Sequence, residues 1–270
     1  SAGRVFEMMD RSDYEPKQAD SLKEIERGDI RFEHVSFSYD GKRDVLKDIS
    51  FEVKNGQTIA FVGHTGSGKS SIINLFMRFY EFDRGRILID GKDIKDYSQE
   101  ALRKSIGLVL QEPFLYHGTI ASNIRMYHEE LSDEEIRQAA TFVDVADFIE
   151  GLPGGYDHSV TERGSTLSTG QRQLLAFART IAAQPKILIL DEATANIDQE
   201  TEEMIQNSLK KMRQGRTTIA IAHRLSTIQD ADCIYVLDKG KIIESGNHDQ
   251  LIALGGTYKK MYDLQAGMMK

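Results

Sequence analysis

The sequence predicts an α/β fold with a mostly parallel sheet, an antiparallel β portion and an inserted helical portion. Strands alternate with helices in the last third of the chain, which is typical of a parallel sheet with right-handed crossovers. Short apolar runs separated by glycine-containing turns come earlier in the chain, and they favour antiparallel strands. A long helical pattern lies between these two regions, at about 112–185.

The N-terminal part is predicted to be a linker followed by short strands. Residues 1–27 are polar, apart from a short helix end near Val5–Met9, and we expect a linker there. Asn55 and Gly56 predict a hairpin turn, and Asp90 and Gly91 predict another turn. The predicted strands are 30–39, 48–53, 58–62 and 86–89.

The remainder of the chain shows helices with recognisable starts. Residues 119–149 have a helical pattern in which Ser132 is an N-cap and Glu135 completes a capping box. A further helix is predicted at 169–183, ending near Pro185. The later predicted elements are strands at 105–110, 186–191, 217–222 and 233–237, helices at 200–213 and 226–229, a hairpin at 241–245 and two short closing helices.

The composition is that of an ordinary globular protein. The chain has 270 residues, of which 40% are hydrophobic and 28% are charged, and its net charge is −8. This acidic balance argues against broad nucleic-acid binding, and we expect no nucleic-acid partner. The single cysteine, Cys233, is expected to be a buried thiol in a core strand. No apolar run approaches the length of about 20 residues that spans a bilayer, and the start at Ser1 without Met suggests a piece of a longer protein.

A glycine-rich turn between a buried strand and a helix is the strongest chemical signal. Residues 63–70 match G-x-x-x-x-G-K-[ST] at every fixed position. Backbone N–H groups of such a loop surround phosphate oxygens, and the following helix adds its N-terminal donors. Lys69 would then reach the β- and γ-phosphates, and the Ser70 hydroxyl would bind Mg²⁺. The predicted phosphate-binding residues are Gly63, His64, Thr65, Gly66, Ser67, Gly68, Lys69, Ser70 and Ser71.

Two carboxylates follow the buried strand at 186–190. An acidic pair alone would suggest a helix N-terminus, but the buried strand and the upstream glycine loop favour catalysis. Asp191 is the predicted Mg²⁺ ligand, and Glu192 is predicted to polarise the water that attacks the γ-phosphate. Ser168, taken alone, is best explained as the N-cap of the helix that follows it.

These motifs together resemble the nucleotide-binding domain of an ATP-binding cassette (ABC) transporter, over residues 28–270. Residues 63–70 are similar to the Walker A motif, and 187–192 to Walker B. Residues 167–171 resemble the family's signature sequence, and 195–198 resemble its D-loop. The resemblance therefore implies a P-loop NTPase core, with ATP as substrate and Mg²⁺ as its partner ion.

The resemblance also assigns roles to single residues. Tyr39 would stack on adenine, an interaction that a flat aromatic face supports. Gln111 would offer its side-chain oxygen to Mg²⁺ and link the sheet to the helical insert. His223 would hydrogen-bond the γ-phosphate and orient the water, with Glu192 and Lys69 as the other catalytic residues.

Family members pair head to tail, and the signature of one domain covers the ATP of the other. The residues implied in that contact are Ser168, Thr169, Gly170 and Gln171. Thr169 departs from the family's glycine, and Ala195 departs from its serine. An altered signature with an intact Glu192 resembles one subunit of an asymmetric heterodimer, although a homodimer that tolerates Thr169 stays open.

The N-terminal segment 2–10 resembles the chain that leaves the last transmembrane helix of fused exporters. The implied function is ATP hydrolysis that powers efflux of lipophilic compounds, with a transmembrane domain on the same full-length chain. The domain would then sit at the cytoplasmic face of the membrane. Alternatives are a subunit of an importer or lipid extractor and, less consistent with the acidic charge, a cassette ATPase that binds DNA or ribosomes.

Overall fold

The structure is a computed structural model that describes residues 21–192 and 197–267. The strands are β1 (Ile30–Phe37), β2 (Leu46–Val53), β3 (Thr58–Val62), β4 (Arg84–Ile89), β5 (Lys92–Asp93), β6 (Ile106–Val109), β7 (Gly118–Thr119), β8 (Ser159–Val160), β9 (Ile187–Asp191), β10 (Thr217–Ile221), β11 (Cys233–Asp238) and β12 (Lys241–Gly246). The helices are α1 (Lys69–Phe76), α2 (Gln99–Ser105), α3 (Ile120–Arg125), α4 (Asp133–Phe142), α5 (Ala146–Glu150), α6 (Thr169–Ala182), α7 (Gln199–Arg213), α8 (His248–Leu254) and α9 (Thr257–Gly267).

The larger sheet confirms the predicted parallel core. Its six strands run in the order β12-β11-β3-β10-β9-β6, and all neighbours are parallel except the β11–β12 hairpin. Successive side chains of a strand point to opposite faces. In β3, Ile59 and Phe61 enter one hydrophobic cluster, whereas Ala60 and Val62 enter another. Both faces are therefore covered, which explains why β3 is buried throughout.

The predicted antiparallel portion is a second sheet, in the order β2-β1-β4-β5. Helix α1 packs between the two sheets, since Ile72 and Phe76 share a cluster with Phe32 and Phe51 of the smaller sheet. The hairpin predicted at Asn55 and Gly56 is wrong. This turn joins β2 to β3, which belong to different sheets, because β3 is buried on both faces and pairs with β10 and β11 instead.

Helices α3–α6 lie between β6 and β9 in sequence; α6 packs on the other face of the parallel sheet, and α3 and α4 pack on α6. The pattern at 119–149 is divided into α3, α4 and α5. Ser132 does cap α4, with the predicted capping box to Glu135. The helix predicted at 226–229 is only a 3₁₀ turn at Leu225–Thr227. The Cys233 thiol is half-buried in β11 rather than fully buried.

The described residues that precede Gly28 pack against the rest of the domain. Leu22 pairs with Tyr97 in an isolated parallel bridge, and Ile25 is fully buried. The Asp90 carboxylate accepts four consecutive backbone N–H groups, those of residues 26–29, at 2.8–3.0 Å. Residues 22–27 are therefore part of the packed domain. Within the described ranges, every helix is too short or too polar to cross a bilayer.

Candidate functional site

Four neighbouring parallel strands end at the same edge of the larger sheet. The register pairs Val109 with Leu190, Asp191 with Ile221, and Ile221 with Phe61. The strands therefore finish level with one another, and the residues that follow them meet at one edge. The predicted site residues that follow these four strand ends are Gln111 after β6, Glu192 after β9, His223 after β10 and Gly63 after β3.

The loop between β3 and α1 needs glycine for close packing at Gly63 and Gly68. A Cβ at Gly63 would lie 2.4 Å from the backbone oxygen of Leu237 and 2.7 Å from the Ser67 hydroxyl. Gly68 has a left-handed conformation with φ 111° and gives α1 no side-chain cap. The N-terminus of α1 therefore faces the loop with uncapped backbone donors, which is the arrangement that binds anions.

Side chains of this loop divide into buried and exposed sets. The Ser67 hydroxyl is buried beneath the loop, and the Ser67 N–H donates to the backbone oxygen of His64 at 3.1 Å. Lys69 is buried, and its ammonium donates to the Gly63 carbonyl. Ser70 is exposed. The Ser70 hydroxyl is thus accessible to an ion, whereas the Ser67 hydroxyl is enclosed by the loop.

Lys69 and Asp191 influence each other electrostatically across the strand ends. Burial lowers the pKa of Lys69, an effect that the Asp191 carboxylate opposes. Burial likewise raises the pKa of Asp191, although the charges of His223 and Lys69 oppose it. Both shifts follow from removing charged groups from water. A site of this kind holds charges that a ligand with phosphates and a cation can compensate.

Glu192 is held by the loop that follows β10. One carboxylate oxygen accepts the backbone N–H groups of His223 and Arg224 at 3.0 and 3.1 Å. The other oxygen accepts the hydroxyl of Thr227. The Glu192 carboxylate therefore lies directly against the backbone of His223.

Tyr39 lies beside α1 with 46% of its surface exposed. Its hydroxyl is 3.0 Å from the Ser71 hydroxyl and accepts the side-chain amide of Asn74 at 2.9 Å. Its ring makes edge contacts with Phe37 and Tyr80, with centroids 4.8 and 4.9 Å apart. The ring is thus fixed in position while keeping an exposed face, and the buried Ser71 serves to hold it.

The N-terminus of α6 has the predicted Ser168 cap. The Ser168 hydroxyl accepts the Gln171 N–H at 3.1 Å, and the Gln171 side-chain oxygen accepts the Ser168 N–H at 2.9 Å. The Thr169 hydroxyl accepts the Arg172 guanidinium at 3.3 Å. A Cβ at Gly170 would lie 2.2 Å from the Thr201 methyl of α7. These four residues lie on the helical portion, and the loop at 63–70 lies on the sheet.

The protein-family profile described as ABC transporter matches residues 46–195. The chain belongs to the ABC transporter family. It is an ATP-binding domain of this family, which hydrolyses ATP.

Two curated ABC relatives are similar over nearly the whole chain. The "Putative ABC transporter ATP-binding protein exp8" of Streptococcus pneumoniae is 72% identical over 269 residues, which are 100% of this chain and 46% of the relative. The "Probable multidrug resistance ABC transporter ATP-binding/permease protein YheH" of Bacillus subtilis is 52% identical over 267 residues, which are 99% of this chain and 40% of the relative. The chain therefore spans less than half the length of these relatives.

A solved structure supports the same assignment. The protein described as "Structure of a bacterial Atm1-family ABC exporter with ATP bound" superposes with a TM-score of 0.86 at 44% identity, covering 93% of this chain and 44% of that one. The mixed α/β architecture, with a parallel and an antiparallel sheet, is thus the ABC ATPase fold.

Four predicted ABC site residues lie close together, and some others fall outside the described residues. Lys69, Asp191, Glu192 and His223 meet at the strand ends. Ala195 and Asn196, predicted as D-loop residues, lie outside the described residues, as does the N-terminal segment 1–20. Within the described ranges, no group of three or more His, Cys, Asp and Glu side chains is arranged to hold a metal. A magnesium ion here would need hydroxyl, amide and phosphate oxygens besides Asp191.

Thr227 contacts Glu192, and sequence reasoning missed it. Its hydroxyl contacts Glu192, 35 residues earlier in the chain, and lies 2.8 Å from the Arg224 carbonyl, so that its one hydrogen is shared between the two acceptors. No local pattern points to such a residue, because the contact arises only when β9 and β10 pair. The one sequence feature that marks Thr227 is its position, four residues after the histidine that follows a buried strand.

Proposed function

We propose that this chain binds ATP with Mg²⁺ and hydrolyses it to drive export of a lipophilic compound across a membrane. The observation that carries the proposal is the meeting of Lys69, Asp191, Glu192 and His223 at the aligned ends of parallel strands. A cation, two carboxylates and an imidazole in one place match the needs of phosphoryl transfer to water.

The phosphates would lie over the N-terminus of α1. Lys69 would exchange its bond to the Gly63 carbonyl for the β- and γ-phosphates. The Mg²⁺ ion would be held by Ser70, Gln111 and Asp191 together with phosphate oxygens, and it would neutralise charge on the phosphates. The burial of Asp191 supports this role, since a buried carboxylate gains from a nearby cation.

Attack on the γ-phosphate would use the pair held after β9 and β10. Glu192 would polarise the water, and His223 would contact the γ-phosphate and help to orient that water. The two residues are linked through the His223 N–H, so their positions are coupled. Adenine would stack on the exposed face of Tyr39, whose hydroxyl is already engaged and leaves the ring free.

A second nucleotide-binding domain would complete each site. The first turn of α6, residues 168–171, would approach the γ-phosphate bound by the partner, as suits a helix N-terminus. Thr169 adds a β-branched side chain to that turn. We infer that the partner is a non-identical subunit with an unaltered signature, and that the ATP held by Glu192 is the one hydrolysed.

The rest of the transporter would lie on the same full-length chain. Relatives of more than twice this length, one of them named an ATP-binding/permease protein, support a transmembrane domain preceding this one. Residues 1–27 would lead from that domain to this one, with 22–27 packed against it, residues 28–270 would form the nucleotide-binding domain, and 112–185 its helical insert. The domain would work at the cytoplasmic face of the membrane, and a relative named for multidrug resistance supports a lipophilic substrate.

ATPase activity of the chain, alone and with a distinct partner domain, tests the proposal. In the dimer that hydrolyses ATP, Glu192→Gln is expected to lower the turnover rate by about 10²-fold or more, which is the usual cost of losing a general base. ATP binding should persist. Glu203→Gln, on the exposed side of α7, is the matched control and should leave turnover unchanged. Full turnover by the Glu192 variant would refute the assigned site.

The same assay separates the two kinds of dimer. Under the asymmetric hypothesis the chain alone turns over slowly, a partner with an unaltered signature accelerates it, and Thr169→Gly accelerates the chain alone. Full-rate turnover by self-paired chain, unaffected by Thr169→Gly, would instead establish the homodimer. Neither result tests the role of Glu192, which the Glu192→Gln variant tests separately.

A further inference from the structure

The loop that carries His223 has backbone groups facing two directions. On one side, the N–H groups of His223 and Arg224 donate to Glu192. The Arg224 carbonyl accepts the Thr227 hydroxyl. The His223 carbonyl and the Leu225 N–H remain, and a group elsewhere in the chain must satisfy them, because unpaired backbone groups are costly.

Gln265, near the end of helix α9, satisfies both. Its side-chain NH₂ donates to the His223 carbonyl at 2.9 Å, and its side-chain oxygen accepts the Leu225 N–H at 2.9 Å. A neutral amide is suited to this pairing, since it carries a donor and an acceptor together, whereas a carboxylate only accepts. One side chain thus holds two consecutive peptide units of the loop, those on either side of Arg224.

Helix α9 is itself fixed at its other end. The Glu244 carboxylate of β12 accepts the N–H groups of Thr257 and Tyr258 at 2.7 and 3.2 Å. Tyr258 is fully buried, and its hydroxyl is 2.8 Å from Nδ1 of His248. Gln265 therefore extends from an anchored helix, and its position does not depend on the loop alone.

We propose that Gln265 is a positioning residue for ATP hydrolysis. It fixes the His223 backbone from the side opposite Glu192, so that the imidazole and the carboxylate keep one relative geometry. Helix α9 thereby controls the reacting groups without touching ATP. This inference rests on the proposed function, in which His223 and Glu192 act on the γ-phosphate.

Gln265→Met tests the inference, because methionine has a similar length but neither hydrogen bond. The variant is measured in the dimer, self-paired or mixed, in which the wild-type chain hydrolyses ATP. Its kcat is expected to fall by about tenfold, since small misplacements of reacting groups have effects of this order or larger. ATP affinity should stay within twofold, because no phosphate or base contact is lost. Gln265→Glu keeps the acceptor and loses the donor, and it should also lower kcat.

Gln229→Met is the matched control. Gln229 is also a glutamine that bonds α9, through the Tyr262 hydroxyl at 3.2 Å, yet it lies outside the loop contacts. This variant should keep both kcat and ATP affinity. Hydrogen exchange gives a second readout: the Leu225 amide should exchange about tenfold faster in Gln265→Met and at the wild-type rate in Gln229→Met.

The outcomes are separable. A wild-type kcat in Gln265→Met, with faster Leu225 exchange, would overturn the positioning role and leave a purely structural bond. Equal losses of kcat in the Gln265 and Gln229 variants would overturn it too, because general loosening of α9 would then explain both. Wild-type turnover in Glu192→Gln would instead refute the proposed function, whatever the Gln265 variants do.

Discussion

Gly170→Ala tests whether the signature glycine is needed for packing within this chain. A Cβ at Gly170 would lie 2.2 Å from the Thr201 methyl of α7, where carbon atoms normally approach to about 3.5–4.0 Å. Thr201 has little freedom to yield, since it is β-branched and hydrogen-bonds Asp198, the N-cap of α7, through both N–H and hydroxyl. The two helices must therefore separate locally.

The expected magnitude combines two opposing effects. Overpacking costs about 1–3 kcal/mol, and so deep an overlap belongs near the upper end. Alanine gains about 1 kcal/mol over glycine in a helix. We therefore expect Gly170→Ala to lower the free energy of unfolding by about 2 kcal/mol, which for a domain of this size lowers Tm by roughly 4–8 °C.

Urea unfolding of a double-mutant cycle is the decisive measurement. Thr201→Ser removes the obstructing methyl and keeps the hydroxyl, so Gly170→Ala should cost at least 1 kcal/mol less in that background. Gly267→Ala, at a helical glycine with open space around it, is the control and should be neutral or slightly stabilising. An equal loss in both Thr201 backgrounds would refute the packing explanation.

Two further predictions concern single side chains that hold backbone. Asp90→Asn tolerates the left-handed backbone at φ 54° but loses the charge that four N–H groups contact, so unfolding by urea at pH 7 should show a loss of about 1–2 kcal/mol. Burial raises the pKa of Asp90, but the backbone hydrogen bonds outweigh it and hold the pKa of the folded state below 3.8. The stabilisation that the carboxylate provides is therefore complete above pH 3.8, and it is lost as the pH falls through the lower pKa of the folded state. A gap between wild type and variant that stays constant down to pH 3 would contradict this. Thr227→Val removes the hydroxyl from Glu192 and should lower kcat by about three- to tenfold at unchanged ATP affinity, whereas Thr227→Ser should retain turnover; equal kcat values for both variants would contradict the hydrogen bond's role.

The sequence predicted features whose determinants are local and missed those that depend on pairing. Ser132 and Ser168 were identifiable as caps because a capping box involves residues three positions apart. The turn at Asn55 and Gly56 was also recognisable, but turn residues do not specify which sheet receives the next strand. That choice is made by burial of both faces of β3, a property of the assembled sheets.

The site divides in the same way. The family resemblance identified Glu192 and His223 as residues that act together, and parallel strands do bring their ends to one edge. The contacts that orient them come from Thr227 and Gln265, 35 and 42 residues away from their partners. A hydroxyl or an amide at such a distance carries no periodic or motif signal, so only the folded arrangement reveals it.

The first turn of α6, residues 168–171, carries side-chain donors that a phosphate bound by a partner domain would meet. In the capping box, Ser168 and Gln171 use only acceptor atoms, namely the hydroxyl oxygen and the side-chain carbonyl oxygen. The Ser168 hydroxyl hydrogen and the Gln171 NH₂ group remain donors, which is what an anion requires. The Thr169 hydroxyl also accepts, from Arg172, and keeps its hydrogen. The departure at Thr169 therefore removes no donor from the turn, and we infer that its effect on a partner's ATP is steric, through the added β-branched side chain.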